Sequence, residues 1–165
     1  MTTAEILSAE DIEHKIRRMA FQIYEANINE SSVIISGIYP NGHKLAIKLK
    51  EAVEKVSNLT VTLCKLDIDK KNPIGTVKVD VSEDVYKNKS VILVDDVLNS
   101  GTTLIYGVKH FLDVPLKQFK TAVLVNRNHK KYPVKADFKG ISLSTSLNER
   151  VKVRFKPEQD SAILE

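Results

Sequence analysis

Two adjacent carboxylates, Asp95 and Asp96, follow the apolar run Val91 to Val94 and precede Val97-Leu98-Asn99-Ser100-Gly101-Thr102-Thr103. Val91 to Asp95 reads as a strand buried on both faces. The acids stand at its end. Gly101 allows close backbone approach, and Ser100, Thr102 and Thr103 offer hydroxyl groups. A helix that follows would point free N–H groups and the positive end of its dipole at a phosphate. The carboxylates just upstream can accept hydrogen bonds from a sugar diol and sit near Mg²⁺. Phosphate beside diol suits a ribose 5-phosphate. The plainer reading makes Asp95 and Asp96 caps of a turn into a helix. The loop of small, hydroxylated residues behind them fits that reading poorly.

Elsewhere the chemistry is thinner. Lys70 and Lys71 could meet an anion if their segment folds inward, and a solvated turn before Pro73 explains them equally well. His129-Lys130-Lys131 and Lys135 form a basic run that a solvated loop accounts for. His14 and Arg18 lie one turn apart on the first helix, opposite its apolar stripe, where an exposed helix face suffices. Cys64 is the only cysteine of the chain and reads as a small buried filler. The histidines and cysteine lack zinc-ligand spacing, and no serine or cysteine nucleophile motif is present.

The elements that must position these residues follow from periodicity. Ser8-Ala9-Glu10-Asp11 resembles a capping box. Behind it Ile12, Ile16, Met19, Ala20 and Ile23 recur at helical spacing to about Asn27. Val33 to Ile35 is a buried strand. Leu45, Leu49, Ala52, Val53 and Val56 mark a second helix, and Leu104, Ile105, Val108, Phe111 and Leu112 a third. Thr60 to Leu66 and Lys120 to Val125 read as strands, and Gly75 to Val81 as a strand or extended arm. Short β-like pieces follow at Phe138 to Leu143 and Val151 to Phe155. Strands alternating with helices predict an α/β protein with a mostly parallel sheet. Ligands then bind beyond the carboxyl ends of the strands, which puts the loops after Ile35, Leu66, Val94 and Val125 under scrutiny.

The chain has 165 residues, enough for one compact domain. No apolar run approaches the length of a membrane span. The first residues lack a basic start followed by an apolar stretch, so a cytoplasmic location is the expectation. The net charge of +4 is compatible with phosphates or nucleic acid and demands neither.

Val91 to Thr103 resembles the phosphoribosyl pyrophosphate signature of type I phosphoribosyltransferases. Asn99 sits where a smaller residue or an aspartate is usual, and Ser100 replaces the commoner threonine. Ile6-Leu7-Ser8, Ala122 to His129, Pro133 to Phe138 and Ser144-Thr145-Ser146 are similar to the branch of pyrimidine-operon regulators with uracil phosphoribosyltransferase activity. The resemblance implies the type I fold, a mostly parallel central sheet flanked by helices with a small hood. Residues 1–165 would form one such domain, with a core at about 28–130. The hood would come from the amino-terminal segment and about 131–165.

It also implies roles. Asp95 and Asp96 would be the catalytic acids, holding the ribose hydroxyls and lying near Mg²⁺, directly or through water. Asn99, Ser100, Gly101, Thr102 and Thr103 would bind the 5-phosphate. Ile38, Tyr39, Pro40, Asn41 and Gly42 would form the pyrophosphate loop. Asn126 and Arg127 would frame the base. The implied cofactor is Mg²⁺, and the implied partners are phosphoribosyl pyrophosphate and a nucleobase or nucleoside monophosphate. RNA is a further implied partner, and a homodimer or larger homo-oligomer the implied assembly. Three features depart from the branch. Pro40-Asn41 stands where a threonine–arginine pair is usual. The closing arm is reduced to Asp69-Lys70-Lys71-Asn72-Pro73. Asn126 and Asn128 replace an aspartate and a glycine.

Overall fold

A computed structural model describes residues 3–165. Strand β1 (Ala4–Leu7) enters helix α1 (Ala9–Ala26), followed by β2 (Ser32–Ile38), α2 (Asn41–Val56) and β3 (Thr60–Asp67). A two-residue strand β4 (Lys78–Val79) and a one-turn helix α3 (Glu83–Tyr86) lead to β5 (Ser90–Leu98), α4 (Thr102–Phe111) and β6 (Gln118–Arg127). The chain ends in β7 (Phe138–Leu143), β8 (Val151–Arg154) and β9 (Ser161–Leu164).

Six strands form the large sheet in the order β4-β3-β2-β5-β6-β7, and three form a small sheet in the order β1-β9-β8. In the large sheet every pairing is parallel except β3 with β4. Strand β3 lies on one side of β2 and β5 on the other. The chain therefore reverses its direction of winding between β2 and β5, where an open parallel sheet leaves a crevice at the strand ends.

Both faces of the large sheet are covered, which is why β5 reads as a continuous apolar run. One face packs Ile35, Ile92, Val94 and Leu124 against α1, α2 and the hood residues Val153 and Ala162. The other packs Leu66, Leu93 and Val123 against Tyr86, Leu104 and Phe111. Each fully buried leucine or isoleucine there contributes about 1.5–3 kcal/mol. Helix α1 forms as its sequence dictates. Ser8 Oγ accepts from Asp11 N–H at 3.1 Å, and Asp11 Oδ2 accepts from Ser8 N–H at 2.9 Å. Its predicted stripe is the buried face. At its far end Asn27 Nδ2 donates to the Ile23 carbonyl, and Ser90 Oγ donates to Asn27 Oδ1 at 2.6 Å, tying the helix end to the start of β5.

The structure differs from expectation in several places. The stretch from Gly75 to Val81 contributes only β4. Residues 138–143 were expected in the hood, yet β7 pairs with β6 in the large sheet. Gly140 permits this, since a Cβ there would lie 2.5 Å from the Leu124 carbonyl oxygen. The hood sheet instead joins β1 to β8 and β9. Among the described residues no helix is long and apolar enough to cross a membrane.

Candidate functional site

Asp95 and Asp96 lie near the end of β5, facing the crevice between β5 and β2. Asp95 is buried and Asp96 half-buried. Each carboxylate folds back on the backbone. Asp96 N–H donates to Asp95 Oδ1, and Val97 N–H donates to Asp96 Oδ1, both at 2.9 Å. Burial, and then the negative charge of Asp96, push the Asp95 carboxyl well above the ordinary carboxylate range. The ammonium group of Lys70 pulls the other way. A cation beside this pair would offset the repulsion between the two carboxylates and favour their charged forms.

Behind the acids the backbone turns sharply. Gly101 has φ +86° and caps α4, a conformation that favours glycine. A Cβ there would also lie 2.6 Å from Val134 Cγ1. Thr102 N–H donates to Ser100 Oγ at 3.3 Å, and the Ser100 and Thr102 hydroxyls lie 2.9 Å apart. The Ser100 carbonyl accepts from the N–H groups of Lys131 and Tyr132, so the segment after β6 braces the loop from outside. Ser100 to Thr103 thus form a tight turn into α4, with the Ser100 and Thr102 hydroxyls held against each other.

Across the crevice, Ile38 ends β2 fully buried and Tyr39 is half exposed, with Lys65 Nζ 4.9 Å from its ring centre. The Tyr39–Pro40 peptide is cis. Asn41 and Gly42 form the first turn of α2 rather than the end of a loop. Gly42 is pressed onto the acid pair: a Cβ there would lie 2.6 Å from the Val94 carbonyl oxygen and 2.9 Å from Asp95 Cα. Asn41 Nδ2 donates to Asp96 Oδ2 at 3.1 Å and to the Val153 carbonyl of β8 at 2.9 Å. The shortened arm folds inward. Asp69 closes a turn by accepting from Lys71 N–H and Asn72 N–H, and Lys70 Nζ lies 3.9 Å from Asp95 Oδ1. Lys70 reaches toward Asp95 from an exposed turn at residues 69–72, so features of both readings of Lys70 are present.

At the end of β6, Asn126 lies beside Leu98 in the sheet. Its Nδ2 donates to Ser142 Oγ at 3.2 Å, and its Oδ1 is buried without a partner. The side chain of Arg127 turns into the protein, toward Asn99 and Thr145. His129 Nε2 meets the Thr145 carbonyl, and Arg18 donates to the carbonyls of Lys139 and Gly140 on β7, so neither is a free surface group. Sequence reasoning did not single out Thr145, Glu149 or the Val153 carbonyl as participants. Their contacts are made across long sequence separations, and two of them use backbone carbonyls, which leave no mark in a sequence.

A groove of about 740 Å³ lies elsewhere, between α1, α2 and the turn at Glu158 and Asp160. None of the acids or loop residues lines it. Convergent polar groups, not cavity size, locate the candidate site.

Residues 2–158 match the phosphoribosyl transferase domain family. The bifunctional protein PyrR of Chloroflexus aurantiacus is 35% identical over 161 residues, covering 92% of this chain and 88% of its own. PyrR of Streptococcus mutans is 31% identical over 159 residues, covering 93% and 89%. Among solved structures, a hypoxanthine-guanine phosphoribosyltransferase of Bacillus anthracis matches with a TM-score of 0.78 at 20% identity, over 98% of this chain and 99% of that one. A hypoxanthine phosphoribosyltransferase of Trypanosoma cruzi matches with a TM-score of 0.73 at 18% identity, over 89% and 83%. At these identities the solved structures speak for the fold.

Proposed function

Because the chain belongs to the phosphoribosyl transferase domain family and has the type I fold, we propose that it transfers the phosphoribosyl group of phosphoribosyl pyrophosphate to a pyrimidine base, uracil first. The products are a nucleoside monophosphate and pyrophosphate. The observation that carries this reading is the continuity of the Asp95-Asp96 pair with the Gly101-capped start of α4. One unbroken segment offers carboxylates for a sugar diol and a cup for its phosphate.

In this reading Asp95 and Asp96 hold the ribose hydroxyls, and Asn99 to Thr103 hold the 5-phosphate. The first turn of α2, with Ile38 to Gly42, takes the pyrophosphate through backbone N–H groups. Asn126 and the backbone at Arg127 frame the base. Positive charge grows on the sugar as pyrophosphate departs, so the work of the protein is placement and electrostatic stabilisation. The Asp95-Asp96 pair offers oxygen ligands of the kind Mg²⁺ takes, directly or through water. When bound, Mg²⁺ neutralises the leaving group. We include a homodimer or larger assembly in this proposal.

The test is to incubate the protein with Mg²⁺, phosphoribosyl pyrophosphate and each common base, and to assay pyrophosphate. Release with uracil supports the reading. Release with a purine alone moves the assignment to another base, and no release with any base ends the enzymatic proposal.

A second reading is a nucleotide-sensing regulator that binds RNA of a pyrimidine operon. It is favoured by the exposed Lys130, Lys131 and Lys135 after β6 and by Lys139 on β7, where Arg18 is also tethered. Binding of a pyrimidine-operon leader RNA should weaken steeply with added salt, through counterion release, and should respond to uridine nucleotides. Failure to bind such RNA at low salt ends this second reading.

A further inference from the structure

Lys70 reaches the acid pair from a segment that little else holds. Residues 69–76 are exposed, Pro73 excepted. Their hydrogen bonds run within the segment. Asp69 accepts from Lys71 N–H and Asn72 N–H, and the Asn72 carbonyl accepts from Gly75 N–H. Among the described residues, the approach of Lys70 Nζ to Asp95 Oδ1, at 3.9 Å, is the one polar contact this segment makes with the rest of the chain. A segment with so few buried contacts opens readily.

Its partner is no ordinary surface acid. The Asp95 side chain is 6% exposed, against 45% for Lys70. Asp96 has a neutral partner in Asn41. Lys70 is therefore the one cation that the acid pair meets among the described residues. A divalent cation such as Mg²⁺ on the Asp95 carboxylate would sit about 2.0–2.1 Å from its oxygen, close to the ammonium group. Like charges held so near each other in a half-buried crevice repel strongly, so one of them must leave. The ammonium stands on a flexible four-carbon stem and a loosely held segment, and it is the one free to move.

We propose that Lys70 is a resident stand-in for the divalent cation: it holds the place beside Asp95 until a cation arrives, which displaces it and frees the arm. The inference deepens the reading above, in which the acid pair receives Mg²⁺. Once displaced, the same ammonium group is released to face the pyrophosphate.

Two measurements on the whole chain test this, with Mn²⁺ alone as the probe in place of Mg²⁺. Titration followed by electron paramagnetic resonance should show Lys70→Met binding Mn²⁺ about three- to fivefold tighter than wild type, the upper range for a half-exposed ion pair. Position 70 is exposed, so the variant should fold. Lys70→Arg, which keeps the charge, and Lys71→Met, one residue along, should stay within about twofold of wild type. The second readout is acetylation of the lysines by an amine-reactive reagent, located by mass spectrometry. Saturating Mn²⁺ should raise the labelling of Lys70 severalfold and leave that of Lys71 unchanged. Mn²⁺ affinity that fails to rise in Lys70→Met would overturn the inference. Unchanged Lys70 labelling in the saturated protein would also overturn it, because the ammonium would have stayed in place. So would the absence of Mn²⁺ binding in both wild type and Lys70→Met. Pyrophosphate release with uracil in the assay above would stand even so, which separates failure of this inference from failure of the phosphoribosyl reading.

Discussion

Asn41 Nδ2 lies 3.1 Å from Asp96 Oδ2, so the first residue of α2 steadies the second acid of β5. The same amide nitrogen donates to the Val153 carbonyl, which orients it. The Asn41 side chain thus serves the carboxylate. Replacing Asn41 with alanine should lower the transfer rate about three- to tenfold, in keeping with a net hydrogen bond of about 0.5–1.5 kcal/mol. Steady-state kinetics would check this. An unaltered rate would show that Asp96 keeps its place unaided.

The acid pair should govern ligand affinity more than folding. The double replacement Asp95→Asn with Asp96→Asn should weaken Mg²⁺-phosphoribosyl pyrophosphate by about a hundredfold or more, through the loss of two charge-assisted contacts. Its circular dichroism spectrum should match that of wild type. Unchanged affinity in a folded double variant would remove both residues from the site.

Asp95 gives stability a pH dependence with a definite sign. Its carboxyl is pushed well up by burial and by Asp96, so the folded protein holds the proton more tightly than the unfolded chain does. The stability tied to that proton is fully present below the unfolded value, about 3.9. It is lost as pH rises through the folded value. Asp95→Asn should therefore raise the denaturation midpoint at neutral pH, and the gain should vanish as pH falls toward about 4. Denaturant titrations at both ends of this range would show it. An equal gain at both ends would mean that charge burial is not the cause.

Lys70 should matter to turnover and little to stability. Its ammonium group is almost half exposed, and its separation from Asp95 is long for an ion pair, so the pair contributes about 0–1 kcal/mol. Beside bound pyrophosphate it would be the cation that the arm delivers. Lys70→Ala should cut uracil transfer about tenfold and leave the melting temperature nearly fixed. Uracil transfer by the wild-type chain should also be slower than by a relative with a full closing loop, since lid closure completes the charge-stabilising shell. Equal turnover beside such a relative would refute the idea of a weakened lid.

The floor of the site was legible because its parts are contiguous. An apolar run, two acids, a small-residue loop and a helical stripe are written in order from Val91 to Leu112. The capping box of α1 and the two-sided burial of β5 were legible for the same reason. What escaped was made at a distance. The contact between Asn99 and Arg127 crosses 28 positions, and that between Asn41 and the Val153 carbonyl crosses 112. Strands β1 and β9 are four residues each and pair with one another across the length of the chain. Periodicity cannot register elements so short. The place of β7 in the large sheet turned on Gly140, whose small size matters only once β6 lies beside it.

The pairing of β1 with β9 also imposes an order on assembly during synthesis. Every strand of the large sheet is made by residue 143, whereas the hood sheet needs β9, at residues 161–164. A nascent chain can assemble the acid pair and the turn into α4 while Ala4 to Leu7 still wait for a partner. Until β8 and β9 emerge, Asn41 lacks the carbonyl that orients it, and Arg127 lacks the one from Glu149. Ribosome-bound intermediates would then carry the acid pair before the contacts that tune it.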